Sequence, residues 1–232
     1  MTMALRMMMA AANADISLPV QANLIFWFRA DRGVTKDGSD LVATWADQSV
    51  NGYDLTEATN KPLWVTGLIN NKPGIRFDGT NDKLSSGAVT VNQPIHFFVV
   101  VKNISIVDGD RIFGTQTTNT TPQLIQRSAG PTLQLQSNGT NGAQVATDTT
   151  NFHLYSCQFN GTSSQIAKDN GVYQTNGNIL TGGMYAIYLA SLGGSSGFAN
   201  IEVTEFFAYD TLQSGADYTS ILDYINNRYS LW

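Results

Sequence analysis

Few residues in this chain have the types and spacing needed for chemistry. Gly193-Gly194-Ser195-Ser196-Gly197 matches G-x-S-x-G, the pattern of a hydrolase serine raised on a strand-to-helix elbow, with its histidine later in the chain. Here both histidines, His96 and His153, precede Ser195, and no helical pattern follows it, so the segment reads as a Gly/Ser loop. Each histidine lies in an apolar, strand-like run with no second ligand at i+2 or i+4, so neither reads as a zinc or copper ligand. Glycoside cleavage needs two carboxyl groups about 5 or about 6.5 to 9.5 Å apart. Glu202 and Glu205 come nearest, but three residues along a straight strand point them to opposite faces. Glu205, followed by Phe206 and Phe207, reads as structural. No catalytic residue is assigned, and a glycan hydrolase is the least favoured function.

Two loops, Asp78-Gly79-Thr80-Asn81-Asp82 and Asp108-Gly109-Asp110, carry hard oxygen ligands without EF-hand spacing. Asp78, Asn81 and Asp82 are the candidate metal ligands. Calcium is optional, no cofactor is required, and ordinary turn chemistry is the competing explanation. Sugars are held by a ring against their apolar face together with converging hydrogen bonds. Tyr53, Trp64 and Tyr173 are the aromatics nearest expected turns, and Asn51 adds an amide. Core packing is the alternative for each aromatic.

The elements that would position these residues are short. Between Leu24 and Tyr209, β-rich runs alternate with Gly, Asn, Asp and Thr turns, the pattern of a sandwich or barrel. Strands are expected at 24–29, 41–45, 63–66, 74–77, 96–102, 111–113, 123–126, 132–136, 152–159, 165–167, 172–174, 185–189 and 202–209. In Phe97-Phe98-Val99-Val100-Val101 both alternating faces are apolar, which places that strand mid-sheet with Phe97, Val99 and Val101 on one side and Phe98 and Val100 on the other. Lys168-Asp169-Asn170-Gly171 predicts a hairpin with a type I′ turn. One helix is expected at 215–229, opened by a Ser214/Asp217 capping box and followed by Leu231 and Trp232 against the body.

The chain has 232 residues, and 13 basic against 18 acidic side chains give a net charge of −5. No Lys/Arg cluster offers a nucleic-acid footprint. Charged residues make up 13%, against roughly 25% for an average domain; uncharged polar residues fill the gap, as in extracellular or assembled β proteins. The lone Cys157 cannot form an intrachain disulfide and reads as a buried hydrophobe. No apolar stretch approaches the roughly 18 residues of a membrane span.

Residues 1–15 imitate a secretory signal, but their apolar centre is short. Met3, Leu5, Met7, Met8 and Met9 are read as assembly contacts of an arm on a neighbouring subunit, with packing on its own domain as the alternative. Residues 16–232 are then the domain proper, oligomeric or present in many copies.

The stretch Leu24-Ile25-Phe26-Trp27-Phe28-Arg29-Ala30-Asp31, with Gly33-Val34, Trp45-Ala46-Asp47-Gln48-Ser49 and Asn51-Gly52, resembles the concanavalin A-like, laminin G-like jelly-roll domains. So do Lys61 to Val65, Asn71 to Gly79 with Asp82, and the tail from Phe198 to Leu231. The resemblance implies an all-β fold, two antiparallel sheets in a jelly-roll sandwich with an N-terminal arm and one short C-terminal helix. It also implies a family used mainly for binding glycans or proteins. Two readings follow. One is a non-catalytic, lectin-like module within a phage virion, as a capsid decoration or tail-associated subunit; the other is a carbohydrate-binding protein secreted to a bacterial surface.

Overall fold

A computed structural model describes residues 17–115, 121–175 and 179–232. The strands are β1 (Leu24–Arg29), β2 (Val34–Lys36), β3 (Val42–Trp45), β4 (Leu55–Thr56), β5 (Leu63–Ile69), β6 (Lys72–Asp78), β7 (Leu84–Ser85), β8 (Ile95–Asn103) and β9 (Arg111–Gly114). They continue with β10 (Gln123–Arg127), β11 (Thr132–Ser137), β12 (Thr140–Ala146), β13 (His153–Phe159), β14 (Gln165–Lys168), β15 (Gln174–Thr175), β16 (Tyr188–Leu189) and β17 (Asn200–Tyr209), followed by helix α1 (Gly215–Tyr229). The front sheet runs β15-β14-β13-β8-β17-β6-β5, with β1 also paired to β17; the back sheet runs β12-β11-β10-β9-β16-β7-β4-β3-β2. The strands pair antiparallel, so the expected all-β, two-sheet antiparallel sandwich with one C-terminal helix is what forms. The proposed assembly residues Met3, Leu5, Met7, Met8 and Met9 lie outside the described residues.

The centre is the β8–β17 pair. Phe97, Val99 and Val101 enter the core between the sheets with Phe26, Phe28, Phe113 and Phe206. Phe97 meets Phe113 of the back sheet at 4.7 Å between ring centres. Phe98 and Val100 face outward and are covered by α1 together with Trp27, Leu154, Phe207 and Tyr209. Both faces are used as the sequence requires, and burying each such side chain contributes roughly 1.5–3 kcal/mol.

A β-bulge corrects one expectation. Val203 pairs with Val101 and Glu205 with Val100, so Thr204 is the extra residue. With one residue absorbed, Glu202 and Glu205 share the outer face instead of lying on opposite ones. They do not form a working pair there. Glu205 is fully buried beneath α1, accepting hydrogen bonds from Trp27 Nε1 (2.6 Å), Tyr224 Oη (2.7 Å) and Tyr229 Oη (2.6 Å), with Arg228 Nε at 3.5 Å. Burial pushes its carboxyl up, while Tyr229, Arg228, Trp27 and Tyr224 pull it back.

Other differences have local causes. Strands β2, β4 and β7 are too short to show alternation, and β12 contains Asn141 and Gly142, weak strand formers held in place by pairing with β11. The strand expected at 172–174 is shifted to 174–175, and the one expected at 185–189 contracts to 188–189. The hairpin between β14 and β15 exists, but the left-handed residue is Asp169 (φ 55°) rather than Asn170. Asp169 is held there because its carboxylate accepts the Leu154 N–H (3.0 Å) and faces His153 Nδ1 (2.8 Å). Ser214 caps α1 in extended conformation without a side-chain hydrogen bond, so the capping box does not form. Leu231 packs against the body whereas Trp232 stays exposed. Cys157 is buried, and burial pushes its thiol well up.

His153 fastens the β12–β13 loop. Its Nε2 lies 2.8 Å from Asp148 Oδ2 and its Nδ1 2.8 Å from Asp169 Oδ2. The Asp169 hydrogen bond, opposed by burial and aided by Asp148, raises the imidazole above its usual 6.5. Asp148 is held below the usual carboxylate range: burial opposes this, but the Asn151 N–H, His153 and Thr150 outweigh it.

Two outcomes are expected. Glu205→Gln places an amide against donors and takes one of two carboxylates from Arg228, which keeps Asp31. It should cost about 3 kcal/mol, a fall of roughly 6–12 °C in Tm, with α1 the first element to lose amide-exchange protection. The second concerns the His153 clamp. A raised folded pKa stabilises fully below the unfolded value and is lost as pH rises through the folded one; the lowered Asp148 value acts in reverse, failing in acid. The clamp is therefore whole from about pH 4 to 6.5. Between pH 6 and 9 the wild type should lose on the order of 1 kcal/mol that His153→Gln does not, and parallel Tm–pH curves for the two proteins would refute the assignment.

Candidate ligand-binding site

The hydrolase-like groups are committed elsewhere. Ser195 sits in a tight exposed loop, with Leu192 N–H donating to Ser196 O (2.7 Å) and no elbow. A serine–histidine contact does exist: His96 Nε2 lies 2.7 Å from Ser156 Oγ and 3.0 Å from Tyr173 Oη. The Gln213 N–H donates to His96 Nδ1 at 3.1 Å, so the proton belongs on Nε2. That tautomer donates toward Ser156 and cannot take its proton. Burial pushes His96 down to about 3, and both side chains are fully buried. Glu202 accepts from Arg76 Nε (2.8 Å) and is itself buried.

The sequence candidates turn out to hold structure. Asn51 Nδ2 donates to Leu24 O (3.0 Å) and Ile25 O (2.8 Å), closing off β1. Asp47 gathers the N–H groups of Trp27 (2.9 Å), Ser49 (2.8 Å) and Tyr53 (3.0 Å). Tyr53 packs half-buried against the inter-sheet core. Trp64 Nε1 donates to Ala30 O (2.8 Å), and Lys36 Nζ lies 4.1 Å from its ring centre, occupying the face a sugar would need. Tyr173 belongs to the His96 network, 2.5 Å from Ser156 Oγ. Asp78 and Asp82 do meet. Asp78 Oδ1 accepts the N–H groups of Thr80 (2.7 Å) and Asn81 (3.2 Å), and Asp82 Oδ2 accepts that of Asp78 (3.1 Å). Burial and then the Asp78 charge push Asp82 up to about 6. Asn81 contributes its backbone N–H to this turn. Among the described residues no three His, Cys, Asp or Glu side chains converge on one point.

The aromatic that sequence reasoning missed is Tyr185, which is 46% exposed. It borders a cleft of about 490 Å³ with Asn92, Gln93, Asn138, Thr181, Gly182 and Gly183, and among the described residues no charged side chain lines it. Its backbone is fixed: Tyr185 and Ala186 N–H both donate to Thr115 O (3.2 and 3.0 Å), and Val89 N–H donates to Tyr185 O (2.9 Å). Met184 and Val91 exchange both backbone hydrogen bonds (2.7 and 3.0 Å). Gln93 is anchored by Gly182 O (3.0 Å) and the Gly161 N–H (2.7 Å). A Cβ at Gly183 would come within 3.0 Å of Val91 O and 3.1 Å of Asn92 Oδ1, so glycine is what lets the two segments close. The Tyr185 hydroxyl and the Asn92 and Asn138 amides have no hydrogen-bond partner among the described residues. Gly182-Gly183 ahead of Tyr185 was the available signal; the strand expected at 185–189 concealed it, because strand aromatics usually enter cores.

No family model matches the chain, and no curated protein matches it. Solved structures share its fold. A GH54 α-L-arabinofuranosidase soaked with a cyclic sulfate inhibitor aligns with a TM-score of 0.64 at 16% identity, over 83% of this chain and 52% of that one. Domain 4 of AbnA, a GH43 extracellular arabinanase from Geobacillus stearothermophilus, in complex with arabinotriose, aligns at 0.63 and 12% identity over 88% and 99%. The binding domain of Paraclostridial Mosquitocidal Protein 1 aligns at 0.60 and 12% identity over 88% and 52%. The chain thus spans about half of the arabinofuranosidase and of the mosquitocidal binding domain, and nearly all of the arabinanase domain. At such identities the likeness is one of fold.

Proposed function

We propose that this chain is a non-catalytic glycan-binding module whose site is the Tyr185 cleft. The observation that carries this reading is an exposed ring on a fixed backbone, bordered by the uncharged Asn92 and Asn138 amides, which have no partner among the described residues. A pyranose or furanose offers an apolar face for such a ring and hydroxyl groups for such amides. The fold shared with an arabinanase domain in complex with arabinotriose supports a neutral sugar as ligand. The non-catalytic part is supported by Glu205 beneath α1, Glu202 in its ion pair and the His96 tautomer. Virion location and attachment through residues 1–15 draw no support from these structures, so the proposal is confined to binding.

Titration with arabinotriose, followed by linear arabinan, xylan and dextran in affinity gels, tests it. Tyr185→Ala should weaken binding roughly tenfold, the equivalent of about 1.4 kcal/mol. Trp64→Ala and Tyr173→Phe should leave affinity unchanged, as should a chelator if calcium is dispensable. Equal affinity of Tyr185→Ala and wild type would place the site elsewhere. Release of reducing ends, abolished by Glu202→Gln, would overturn the non-catalytic reading.

A further inference from the structure

A second, chemically different surface lies on the outer face of the front sheet, bordered at one end by the C-terminal end of α1. Glu202 of β17 stands in register with Arg76 of β6 on one side and Lys102 of β8 on the other. Strands lie about 4.8 Å apart, so the Cα atoms of Arg76 and Lys102 are roughly 10 Å from each other with that of Glu202 between them. The three side chains floor an open cleft of about 860 Å³ that runs toward Asn70 and Leu231, and a second of about 500 Å³ that runs toward Asn200 and Asp78. Because both clefts share Arg76, Lys102 and Glu202, they form one elongated groove.

The charges in this groove are not balanced at its surface. Glu202 is 5% exposed and turned under the 42%-exposed Arg76, whose Nε it accepts at 2.8 Å. Lys102 is half-buried and has no hydrogen-bond or ion-pair partner among the described residues. What faces solvent in mid-groove is therefore positive, on a chain of net charge −5. The remaining charges lie toward the ends of the groove: His153 sits between Asp148 and Asp169, and the exposed Asp78 carboxylate, held by N–H groups of its own turn, keeps its negative charge at the far end. Among the described residues no ring is available for stacking, since Phe152 and Tyr229 are buried where they border the groove.

We infer that this groove is a second binding site, which takes a linear acidic polysaccharide with its anionic groups over Arg76 and Lys102. Its length suits a chain rather than a free anion, and the absence of a stacking ring argues against both a neutral sugar and nucleic-acid bases. Asn92 and Lys102 lie ten residues apart along β8 and its lead-in, on the order of 30 Å, so the groove and the Tyr185 cleft are separate.

Native affinity electrophoresis in gels containing polygalacturonate, dextran sulfate or neutral dextran tests the inference. The wild type should be retarded by at least one acidic polymer, and 300 mM salt should reverse the retardation. The polymer that retards it identifies carboxylate or sulfate as the recognised group. Lys102→Gln should cut acidic retention severalfold and Lys102→Arg should keep it, each with unchanged Tm. Tyr185→Ala should leave acidic retention intact, so failure of the neutral-sugar reading and failure of this one give different patterns. Equal mobility in acidic and neutral gels, full retention by Lys102→Gln, or retardation by single-stranded DNA but by neither acidic polymer would overturn it.

Discussion

The structure depends on a central strand pair that is apolar on both faces over Phe97–Val101 and Phe206–Tyr209. From Phe97 to Val101, and again from Phe206 to Tyr209, successive side chains on both sides are buried. Such a pair cannot sit on the surface of a two-layer sandwich, because leaving Phe98, Val100, Phe207 and Tyr209 in water would forfeit roughly 1.5–3 kcal/mol each. The back sheet covers one face and α1 covers the other. The helix covers the stretch of β8 and β17 that carries Phe98, Val100, Phe207 and Tyr209. Farther along the same two strands, toward Lys102 and Glu202, the outer face of the front sheet carries polar side chains, with Arg76 of β6 beside them.

The helix is fixed by a polar anchor in an apolar setting. Burying Glu205 carries a desolvation cost of several kcal/mol, which three neutral donors and Arg228 offset. Arg228 Nη2 also reaches Asp31 Oδ2 (2.5 Å), and Asp31 is shared with Arg29 (3.0 Å). Burial works against the ionised Asp31 carboxyl, yet Arg29 and Arg228 hold it below its usual range. The bulge at Thr204 makes this possible: without it Glu205 would point between the sheets and Phe206 outward. Trp27, Arg29, Asp31, Asp47 and Asn51, residues that carry the resemblance to concanavalin A-like domains, all serve this anchor or the strand that supports it. A motif of that kind reports how the sandwich is closed, and says little about what it binds.

Most of the fold was legible because it rests on patterns that one strand or helix shows alone: the two-sided run at 97–101, the Asn-Gly hairpin, and the apolar stripe from Tyr218 to Tyr229. Two- and three-residue strands were not, since their partners supply what their sequence lacks. The candidate site was hardly legible at all. Tyr53, Trp64 and Tyr173 were singled out for their nearness to turns, yet turn position leaves undecided whether a ring's face is open. A carbonyl from Ala30, an ammonium from Lys36 and a hydroxyl from Ser156 decide that, and they come from segments 17 to 34 residues away. The Arg76–Glu202–Lys102 row was equally hidden, as it assembles single charged residues from three distant strands through register alone.

The two clefts differ because the elements around them differ in kind. At the entry to β8 the chain is loop, so backbone carbonyls, glycines and amides meet, and an aromatic there stays exposed only if no sheet face lies beneath it, which is the position of Tyr185. At the exit of β8 the surface is regular sheet, where side chains stand side by side at fixed spacing and long charged residues can form a row. Neither surface contributes to the inter-sheet core, so each can change without disturbing the other or the fold. Sites this far apart, with no shared partners, are expected to act additively to within about 0.5 kcal/mol. Simultaneous occupation by one polymer would then strengthen retention through effective concentration alone, provided the chain can span the intervening face of the front sheet.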